Sequence, residues 1–320
     1  MDRANNLVTI FGGSGFLGTQ VVQLLARRGY RIRVAVRRPD LAGHVRPLGA
    51  VGQVQPIQAN IRNADSVMRA VEGAGTVINL VGIRHERGRQ QFRAVHTMGA
   101  KTVAEAARRA GTTTLIQISA LGADPQSASG YARSKALGEA EVLAAFPEAI
   151  IIRPSIMFGP GDEFFNLHGT LARLLPVLPL IGGKSKFQPI YVGDVAEAIA
   201  AAVNGAVKPG RVYELGGPEI VTHREIVERV LRESQRSNPL LPVPRTLAKL
   251  MAAPLAILPA PLLTGDQVDL LMSDNVVSGE ATREKRTLHA FGVSPTPMDA
   301  ILPGYLWRFR RNGQFDRQPA

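Results

Sequence analysis

The chain has 320 residues, no cysteine and a formal net charge of +12. This length accommodates one large domain or two unequal ones, and a hydrophobic share of 45% is typical of a globular protein. The lack of cysteine excludes disulfides, thiolate metal sites and a cysteine nucleophile. We find neither an apolar run of about 18 residues nor a signal peptide, so we expect no transmembrane helix and no cleaved leader.

Positive charge is concentrated in the first half of the chain. Arginines cluster there in two groups, at residues 27–38 and 84–93. Such a field attracts phosphates, acidic protein faces or anionic lipid, although a solvated basic surface is an equally ordinary interpretation. Nucleic acid is not an expected partner, because no recognition motif accompanies the charge.

Short apolar runs alternate with helical patterns through the first half. Strands are predicted at residues 7–11, 31–36, 76–81, 115–119 and 149–152. Helices are predicted at residues 16–28, 65–71, 97–109 and 134–145. Strands that alternate with helices form a parallel sheet covered on both faces. Residues 1–153 are therefore predicted to form a Rossmann-type, doubly wound α/β domain.

The pattern loosens from residue 154 onward, and we expect a smaller mixed region at 154–320, with some later segments returning to the first domain. Helices are predicted at residues 193–203, 222–233, 245–251 and 265–271. Prolines interrupt the apolar stretches 171–180 and 238–263, so neither stretch can be one straight helix. The polar tail, residues 308–320, is predicted to be flexible.

The strongest motif is a glycine-rich turn between the first predicted strand and the first predicted helix. Residues 12–18 read Gly-Gly-Ser-Gly-Phe-Leu-Gly, which contains the spacing Gly-x-Gly-x-x-Gly. Glycines allow a tight turn and a close approach to a pyrophosphate, and the helix N-terminus offers N–H groups to phosphates. A purely structural turn is the alternative, but the flanking strand and helix favour a dinucleotide site. Its predicted contacts are Gly12, Ser14, Gly15, Phe16, Leu17 and Gly18.

Arg37 and Arg38 follow the second predicted strand, where NAD-binding domains place an Asp or Glu for the ribose 2′-hydroxyl. A carboxylate there would repel a 2′-phosphate, whereas a guanidinium pairs with it through charge-assisted hydrogen bonds. The alternative is two solvated surface arginines. The pattern favours NADP(H) over NAD(H).

Tyr131 and Lys135 form a second constellation. A spacing of four residues places both side chains on one face of a helix. A nearby ammonium favours the phenolate, which suits proton transfer to a carbonyl or an alkoxide. The position of the pair, after the predicted strand that ends at Ser119, makes the motif more specific than the spacing alone. Tyr131 and Lys135 are therefore the candidate catalytic residues.

These motifs together resemble the short-chain dehydrogenase/reductase superfamily, in its extended and atypical branches. The resemblance implies that Asn60 and Ile61 flank the adenine and that Lys135 bonds the nicotinamide ribose. It implies further cofactor contacts at Leu80, Val81, Gly82, Ser119, Tyr131 and Pro154. Active members usually carry a Ser or Thr two residues beyond Ser119, where this chain has Leu121. The departure favours cofactor binding without a complete Ser-Tyr-Lys triad.

Neither the histidines nor a Gly-Gly-Lys-Ser segment is predicted to form a ligand-binding site. No metal site is predicted, because the six histidines show no metal-ligand spacing and each suits the surface or a polar core position. The sequence Gly-Gly-Lys-Ser at residues 182–185 lacks the earlier glycine of a phosphate loop.

The second half carries a narrower resemblance. Segments 266–268, 273–278 and 301–309 are similar to bacterial relatives of the SDR-like accessory subunit of respiratory complex I. The resemblance implies a subunit that holds NADPH tightly without turnover and lies on the peripheral arm near the membrane. It implies peripheral-arm subunits and the membrane surface as partners, and a peripheral location on the cytoplasmic face of the bacterial inner membrane.

Two functions therefore stay open. The first is a non-catalytic NADPH-binding accessory subunit that stabilises the peripheral arm of complex I. The second is a free NADP-dependent reductase or epimerase acting on a sugar nucleotide, a lipid or a quinone precursor. Tyr131 and Lys135 favour the second function, whereas Leu121 and the C-terminal segments favour the first. The apolar stretch 247–263 is either a docking surface for a partner or the membrane, or part of an ordinary core.

Overall fold

The structure is a computed structural model and describes residues 6–256 and 261–313. Its strands are β1 (Leu7–Phe11), β2 (Arg31–Val36), β3 (Val54–Gln58), β4 (Thr76–Asn79), β5 (Thr114–Ile118), β6 (Ile150–Pro154), β7 (Met157–Phe158), β8 (Leu178–Ile181), β9 (Lys186–Phe187), β10 (Ile190–Tyr191), β11 (Val212–Leu215), β12 (Val221–Thr222) and β13 (Leu240–Val243). Its helices are α1 (Phe16–Arg27), α2 (Ala64–Val71), α3 (Met98–Arg109), α4 (Gly130–Ala145), α5 (Phe164–Leu174), α6 (Val192–Val203), α7 (His223–Glu233), α8 (Arg245–Leu255), α9 (Gly265–Leu271), α10 (Gly279–Arg283), α11 (Met298–Ile301) and α12 (Pro303–Leu306). None of the helices in the described ranges has both the length and the hydropathy that a bilayer crossing requires.

Seven strands form one parallel sheet in the order β11-β6-β5-β4-β1-β2-β3. Register is continuous through the centre, where Val8 of β1 lies between Ile32 of β2 and Thr76 of β4. The central strands consist mostly of buried apolar residues, as expected for strands covered on both faces. This arrangement confirms the predicted Rossmann-type α/β fold. β3, which the sequence analysis missed, lies at one edge of the sheet and contains Pro56, which has no N–H to donate and therefore suits an edge strand.

The chain divides into two compact units. The first contains the described residues up to Pro154 together with Gly193–Leu215 and Ser278–Ser294. Its sheet is closed at one edge by β11, which comes from a segment well beyond residue 154. The second unit contains the described parts of Ser155–Val192, of Gly216–Val277 and of the chain from Pro295 onward.

The first unit buries α1 through residues spaced four apart. Leu17, Val21 and Leu25 are all buried, which is the pattern that predicted this helix. A cluster that joins the sheet to α2, α3 and α4 includes Val67, Val77, Val103, Leu115, Val142 and Ile151. The carboxyl ends of the strands are left free to carry ligand-binding loops.

The second unit is built around aromatic side chains. Phe158, Phe165 and Phe187 are each no more than 2% exposed. They belong to one cluster with Tyr305 and Leu306 of α12. The hydroxyl of Tyr305 donates a hydrogen bond of 2.6 Å to Asp162, which lies just before α5. Part of the C-terminal segment 301–309, singled out by its resemblance, thus belongs to the core of this unit.

The first residues of the tail predicted to be flexible, 308–320, make contacts within the second unit. Phe309 is only 5% exposed, and its ring occupies space that a β-carbon at Gly169 would invade, 2.5 Å away. The Nε of Arg310 donates to the backbone oxygen of Glu233 at 2.9 Å. The apolar ring of Phe309 is buried against Gly169, although most residues around it in the sequence are polar. Residues 314–320 lie outside the described part of the chain.

Prolines break the two apolar stretches as predicted. In the first stretch, α5 ends at Leu174 and Pro176 separates it from β8. In the second, β13 is followed by α8, which holds Pro254 in its last turn. The predicted stretch 247–263 also includes residues 257–260, which lie outside the described residues.

Candidate nucleotide-binding site

The glycine-rich turn lies at the carboxyl end of β1, where the strand order reverses between β1 and β4. Ligands of open parallel sheets bind at such a switch point. Gly12 has a φ of +80°, and a β-carbon there would lie 3.3 Å from the backbone of Leu80, just after β4. A β-carbon at Gly18 would lie 2.6 Å from the Cα of Gly13. The turn and α1 therefore pack against each other with no room for a side chain at position 18.

Gly15 is the exposed N-cap residue of α1. It offers no side-chain cap to the first N–H groups of the helix, whereas Asn63 and Ser129 cap α2 and α4. A β-carbon at Gly15 would meet only the backbone oxygen of Gly12, 3.4 Å away, among the described atoms within 4 Å. The uncapped N-terminus of α1 is therefore suited to phosphate oxygens.

The remaining predicted residues of the turn differ in their exposure. Ser14 and Phe16 are half-buried, and the backbone oxygen of Ser14 lies 3.2 Å from the Nε2 of His44. Leu17 is buried at 6% exposure in the core. Leu17 and Gly18 can therefore contact a nucleotide only through their backbone.

A cavity of about 330 Å³ lies beside the ends of β2 and β3. Its lining residues are Arg37, Gln58, Ala59, Asn60, Asn63, Ser66 and Arg69. Two of the seven are cationic and no carboxylate lines the cavity. Neither arginine forms an ion pair within the described chain, whereas Arg38 pairs with Asp40 at 2.8 Å on the exposed surface. The structure thus places Arg37 in a positively charged cavity and leaves Arg38 outside it.

Asn60 and Ile61 follow β3. The backbone N–H of Asn60 donates to the Oγ of Ser66 at 3.0 Å, and its side-chain oxygen accepts from the N–H of Arg62 at 3.1 Å. These bonds hold Asn60 at the border of the cavity. Ile61 is 7% exposed and packs against Gly99, so its side chain belongs to the core.

The loop after β4 contains the predicted residues Leu80, Val81 and Gly82. β4 ends at Asn79, two residues before the predicted end, because the side-chain oxygen of Asn79 accepts from the N–H of Val81 at 3.2 Å. A β-carbon at Gly82 would lie 3.4 Å from the Nζ of Lys135. The loop therefore runs beside the candidate catalytic lysine.

Tyr131 and Lys135 lie on one face of α4, as predicted from their spacing. The helix begins at Gly130 rather than at residue 134, because Ser129 caps it by accepting from the N–H of Ala132 at 3.2 Å. The Nζ of Lys135 is 5.8 Å from the centre of the Tyr131 ring. The Tyr131 ring lies edge-on to His96, with 5.3 Å between ring centres.

Burial lowers the pKa of the two basic side chains at this site, Lys135 and His96. Lys135 is 7% exposed, and its Nζ donates to the backbone oxygen of Ile118 at 3.3 Å. Burial lowers the pKa of Lys135 to about 8, and the charge of Glu139, one helical turn away, opposes that decrease. Burial and the charge of Lys135 lower the pKa of His96 to about 3, so His96 is neutral at physiological pH.

The neutral His96 has a defined tautomer. Its Nε2 accepts from the N–H of Ile83 at 2.9 Å, so its Nδ1 carries the proton and donates to the Oγ of Ser134 at 2.9 Å. The hydroxyl of Ser134 then donates to the backbone oxygen of Tyr131 at 2.7 Å. His96 thereby links the loop after β4 to the first turn of α4.

Ser119 presents a buried hydroxyl at the end of β5. Within the described residues its Oγ has no hydrogen-bond partner, although buried polar atoms are normally paired. A bound group would supply the missing partner. Leu121 is 5% exposed, and its N–H donates to the backbone oxygen of Pro154 at 3.0 Å. The side chain at position 121 contributes no hydroxyl to the site.

The sequence did not reveal two residues of this site, Arg69 and His96. It also did not reveal the ion pairs of Arg153 with two glutamates. Arg69 and His96 join the site only through the folding of α2 and the segment before α3, and no local motif marks them. Arg153 on β6 binds Glu139 on α4 through two hydrogen bonds of 2.9 and 2.6 Å. Arg153 also lies 3.4 Å from Glu214 on β11, so this mostly buried group ties the lysine-bearing helix to the sheet.

Comparison with known proteins agrees with this geometry. Residues 8–216 match the family described as the NAD dependent epimerase/dehydratase family. The chain is 38% identical over 321 residues to the mitochondrial NADH dehydrogenase [ubiquinone] 1 alpha subcomplex subunit 9 of Arabidopsis thaliana, covering 96% of this chain and 79% of that protein. It is also 38% identical over 199 residues to a ceramide reductase of Caulobacter vibrioides, covering 62% of this chain and 61% of that protein.

Solved structures show the same fold. DesIV, a dTDP-glucose 4,6-dehydratase from Streptomyces venezuelae solved with NAD and TYD bound, matches with a TM-score of 0.70 at 19% identity. The match covers 96% of this chain and 98% of that one. Taken with the glycine-rich turn, the family match at residues 8–216 supports a nicotinamide nucleotide as the ligand. The chain belongs to the NAD dependent epimerase/dehydratase family, and to the branch that includes the mitochondrial NADH dehydrogenase alpha subcomplex subunit 9.

Proposed function

We propose that this protein is an NADP(H)-binding accessory subunit of the respiratory NADH:quinone oxidoreductase, complex I. The nucleotide acts there as a bound structural ligand, and the protein has no independent turnover. The observation that carries the assignment is the 38% identity to a complex I subunit along 96% of the chain.

The choice of NADP(H) is supported by the cavity beside β2. Arg37 and Arg69 line it, and no carboxylate does. A guanidinium suits a 2′-phosphate, whereas the Asp or Glu typical of NAD sites would repel it. Asn60, held by Ser66, would border the adenine end of the nucleotide.

The rest of the site fits the other parts of the nucleotide. The N-terminus of α1 at Gly15 would bind the diphosphate. Lys135 and the unpaired hydroxyl of Ser119 would bind the nicotinamide end. When bound, NADPH supplies a hydride donor. Tyr131 remains the group that would donate a proton if a carbonyl compound entered.

The absence of turnover is supported by Leu121. Its buried apolar side chain stands where active relatives of the superfamily usually carry a hydroxyl. A tyrosine and a lysine without that hydroxyl lack one polarising donor for a substrate oxygen. We therefore expect the site to retain its nucleotide without consuming it.

We propose that the subunit is peripheral on the cytoplasmic face of a bacterial inner membrane and contacts the peripheral arm. Support for a membrane contact comes from α8, which buries the small residues Ala248 and Ala252 and exposes Leu247 and Leu250, the latter at 70%. An ordinary amphipathic helix would bury its large apolar side chains, whereas α8 exposes them. Leu250→Asp should reduce co-flotation of the protein with anionic vesicles; unchanged flotation would exclude α8 as the contact.

A free NADP-dependent reductase acting on a lipid is the second candidate. The similarity to a ceramide reductase and the intact pair Tyr131 and Lys135 favour it. That similarity covers only 62% of the chain, which is why we place it second.

Purification of complex I from its own membranes separates the two candidates. With an affinity tag on a catalytic subunit, we expect this protein in the complex at a constant ratio, with NADP(H) released on denaturation. Tyr131→Phe, which removes one hydroxyl, should leave both the ratio and the nucleotide unchanged. Absence from the complex, together with a carbonyl reductase activity abolished by Tyr131→Phe, would establish the enzyme instead.

A further inference from the structure

Two histidines that are 55 residues apart in sequence meet in the second unit. His168 lies in the middle of α5 and is half-buried, whereas His223 is the first residue of α7 and is 2% exposed. Their Nε2 atoms are 3.1 Å apart and their rings are nearly perpendicular, at 86°. The nucleotide site makes no use of this pair.

Backbone carbonyl oxygens fix the other nitrogen of each ring. The Nδ1 of His168 lies 2.8 Å from the oxygen of Phe164, and the Nδ1 of His223 lies 2.7 Å from the oxygen of Ile181. A carbonyl oxygen only accepts hydrogen bonds, so both Nδ1 atoms must carry a proton. A neutral imidazole has one N–H, and both Nε2 atoms therefore present lone pairs to each other. Two facing lone pairs at 3.1 Å repel each other, and a cation bound by both nitrogens would remove that repulsion.

We propose that His168 and His223 form a binding site for one transition-metal ion of the class that prefers imidazole nitrogen, such as Zn²⁺. With metal–nitrogen bonds of about 2.0–2.1 Å, a nitrogen–nitrogen separation of 3.1 Å corresponds to an angle of about 100° at the metal. That angle lies between the tetragonal and tetrahedral values that copper and zinc adopt with nitrogen ligands.

The surroundings of the pair fit metal binding in two further ways. Metal-bound histidines commonly donate their second ring N–H to a carbonyl or carboxylate, which both rings do here. Burial lowers the pKa of both imidazoles, which favours the neutral form in which histidine binds a metal.

The remaining ligand positions would be open. In the described ranges, no group of three or more His, Asp, Glu or Cys side chains is arranged to bind a metal. Phe164 and Phe187 pack against the rings with centre distances of 4.8 and 5.8 Å. Water or a small anion would complete the coordination from the partly exposed side of His168. Such a site would link α5 to α7 and stabilise the second unit when the metal is present.

Metal titration of the full chain, prepared without a polyhistidine tag, tests the site. We expect one equivalent of Zn²⁺ to bind, to raise the melting temperature and to displace Co²⁺ that has developed a visible absorption band. His168→Ala should weaken Zn²⁺ binding by at least about tenfold. His289→Ala, which removes an exposed histidine elsewhere in the chain, should bind Zn²⁺ as the native protein does.

Two outcomes would overturn the proposal. Equal Zn²⁺ affinity in the native protein and in His168→Ala would mean adventitious surface binding. No Zn²⁺ binding, with a single proton taken up by the pair in a histidine NMR titration, would assign a proton shared between the rings. If His168→Ala fails to fold, the same NMR spectrum of the native protein decides, because Zn²⁺ must then perturb the ring signals of His168 and His223.

Discussion

Arg37 is the residue on which the nucleotide preference depends most directly. It lines the cavity beside β2 and has no ion-pair partner within the described chain. Arg37→Glu should weaken NADP(H) by at least about tenfold, since losing a charge-assisted contact costs about 1.5–3 kcal/mol. Calorimetric titration of the nucleotide-free protein with NADPH and NADH measures the change.

Arg38 supplies the matched control for that experiment. It pairs with Asp40 on the exposed surface and does not line the cavity, so Arg38→Glu should weaken NADP(H) less than Arg37→Glu. Equal affinities of the native protein for NADPH and NADH would contradict the assignment. A larger loss in Arg38→Glu than in Arg37→Glu would move the 2′-phosphate away from the cavity.

Lys135 should give the nucleotide-free protein a specific pH dependence. Its pKa is lowered from 10.5 to about 8 by burial, so the folded state binds this proton more weakly than the unfolded state. The charged lysine therefore destabilises the fold below about pH 8, and this cost disappears as the pH rises toward 10.5. The free energy of unfolding of the native protein, relative to Lys135→Met, should increase across that window.

Urea unfolding at several pH values between 7 and 10.5 measures this difference. A difference that stays constant over the range would show that Lys135 keeps an ordinary pKa. A difference that decreases would show a folded-state partner that stabilises the ammonium. Either result would contradict the lowered pKa of Lys135.

At the scale of the element, the turn from β1 to α1 separates structural glycines from ligand-facing ones. A β-carbon at Gly18 meets backbone atoms, so Gly18→Ala should destabilise the protein even without nucleotide, by about 1–3 kcal/mol. Among the described atoms, a β-carbon at Gly15 meets only one, the backbone oxygen of Gly12, at ordinary contact distance. Gly15→Ala should therefore leave the melting temperature of the nucleotide-free protein unchanged and reduce its increase on adding NADPH.

Melting curves with and without NADPH distinguish the two glycines. Equal destabilisation of the nucleotide-free protein by both substitutions would mean that Gly15 also serves the fold. An unchanged NADPH effect in Gly15→Ala would mean that the diphosphate does not bind at the N-terminus of α1.

The elements that the sequence predicted well are those with strong local patterns. β1, α1 and β2 follow from apolar periodicity and from the glycine-rich turn at residues 12–18. α4 starts four residues earlier than predicted, because the cap at Ser129 is stronger than the apolar pattern that begins at Ser134. β3 was missed because an edge strand with Pro56 and two glutamines has no strand signature.

The parts of the site that escaped prediction depend on contacts distant in sequence. Arg69 reaches the cavity from α2, and His96 reaches Lys135 from the segment before α3. The six histidines were interpreted individually as polar positions, yet the packing of α5 against α7 brings His168 to His223. Spacing along the chain cannot reveal a pair that only tertiary packing creates.

In the whole molecule, the two units contain different functional features. The first holds the glycine-rich turn, the cavity and the Tyr131–Lys135 pair. The second holds the exposed face of α8 and the C-terminal residues Tyr305 and Phe309 in its core. Segment 301–309, one of the three that gave the narrower resemblance, therefore contributes to the core of the second unit.

We propose that the bound nucleotide supports the complex without taking part in its electron transfer. Gly15→Val tests it, because the added side chain would block the diphosphate, while its β-carbon would meet only the backbone oxygen of Gly12, at 3.4 Å, among the described atoms within 4 Å. The decisive measurement is NADH:quinone oxidoreductase activity in membranes, normalised to the amount of assembled complex I. We predict less assembled complex and a nearly unchanged activity per complex. A severe loss of activity per complex, with assembly intact, would contradict the account and give the nucleotide a catalytic role.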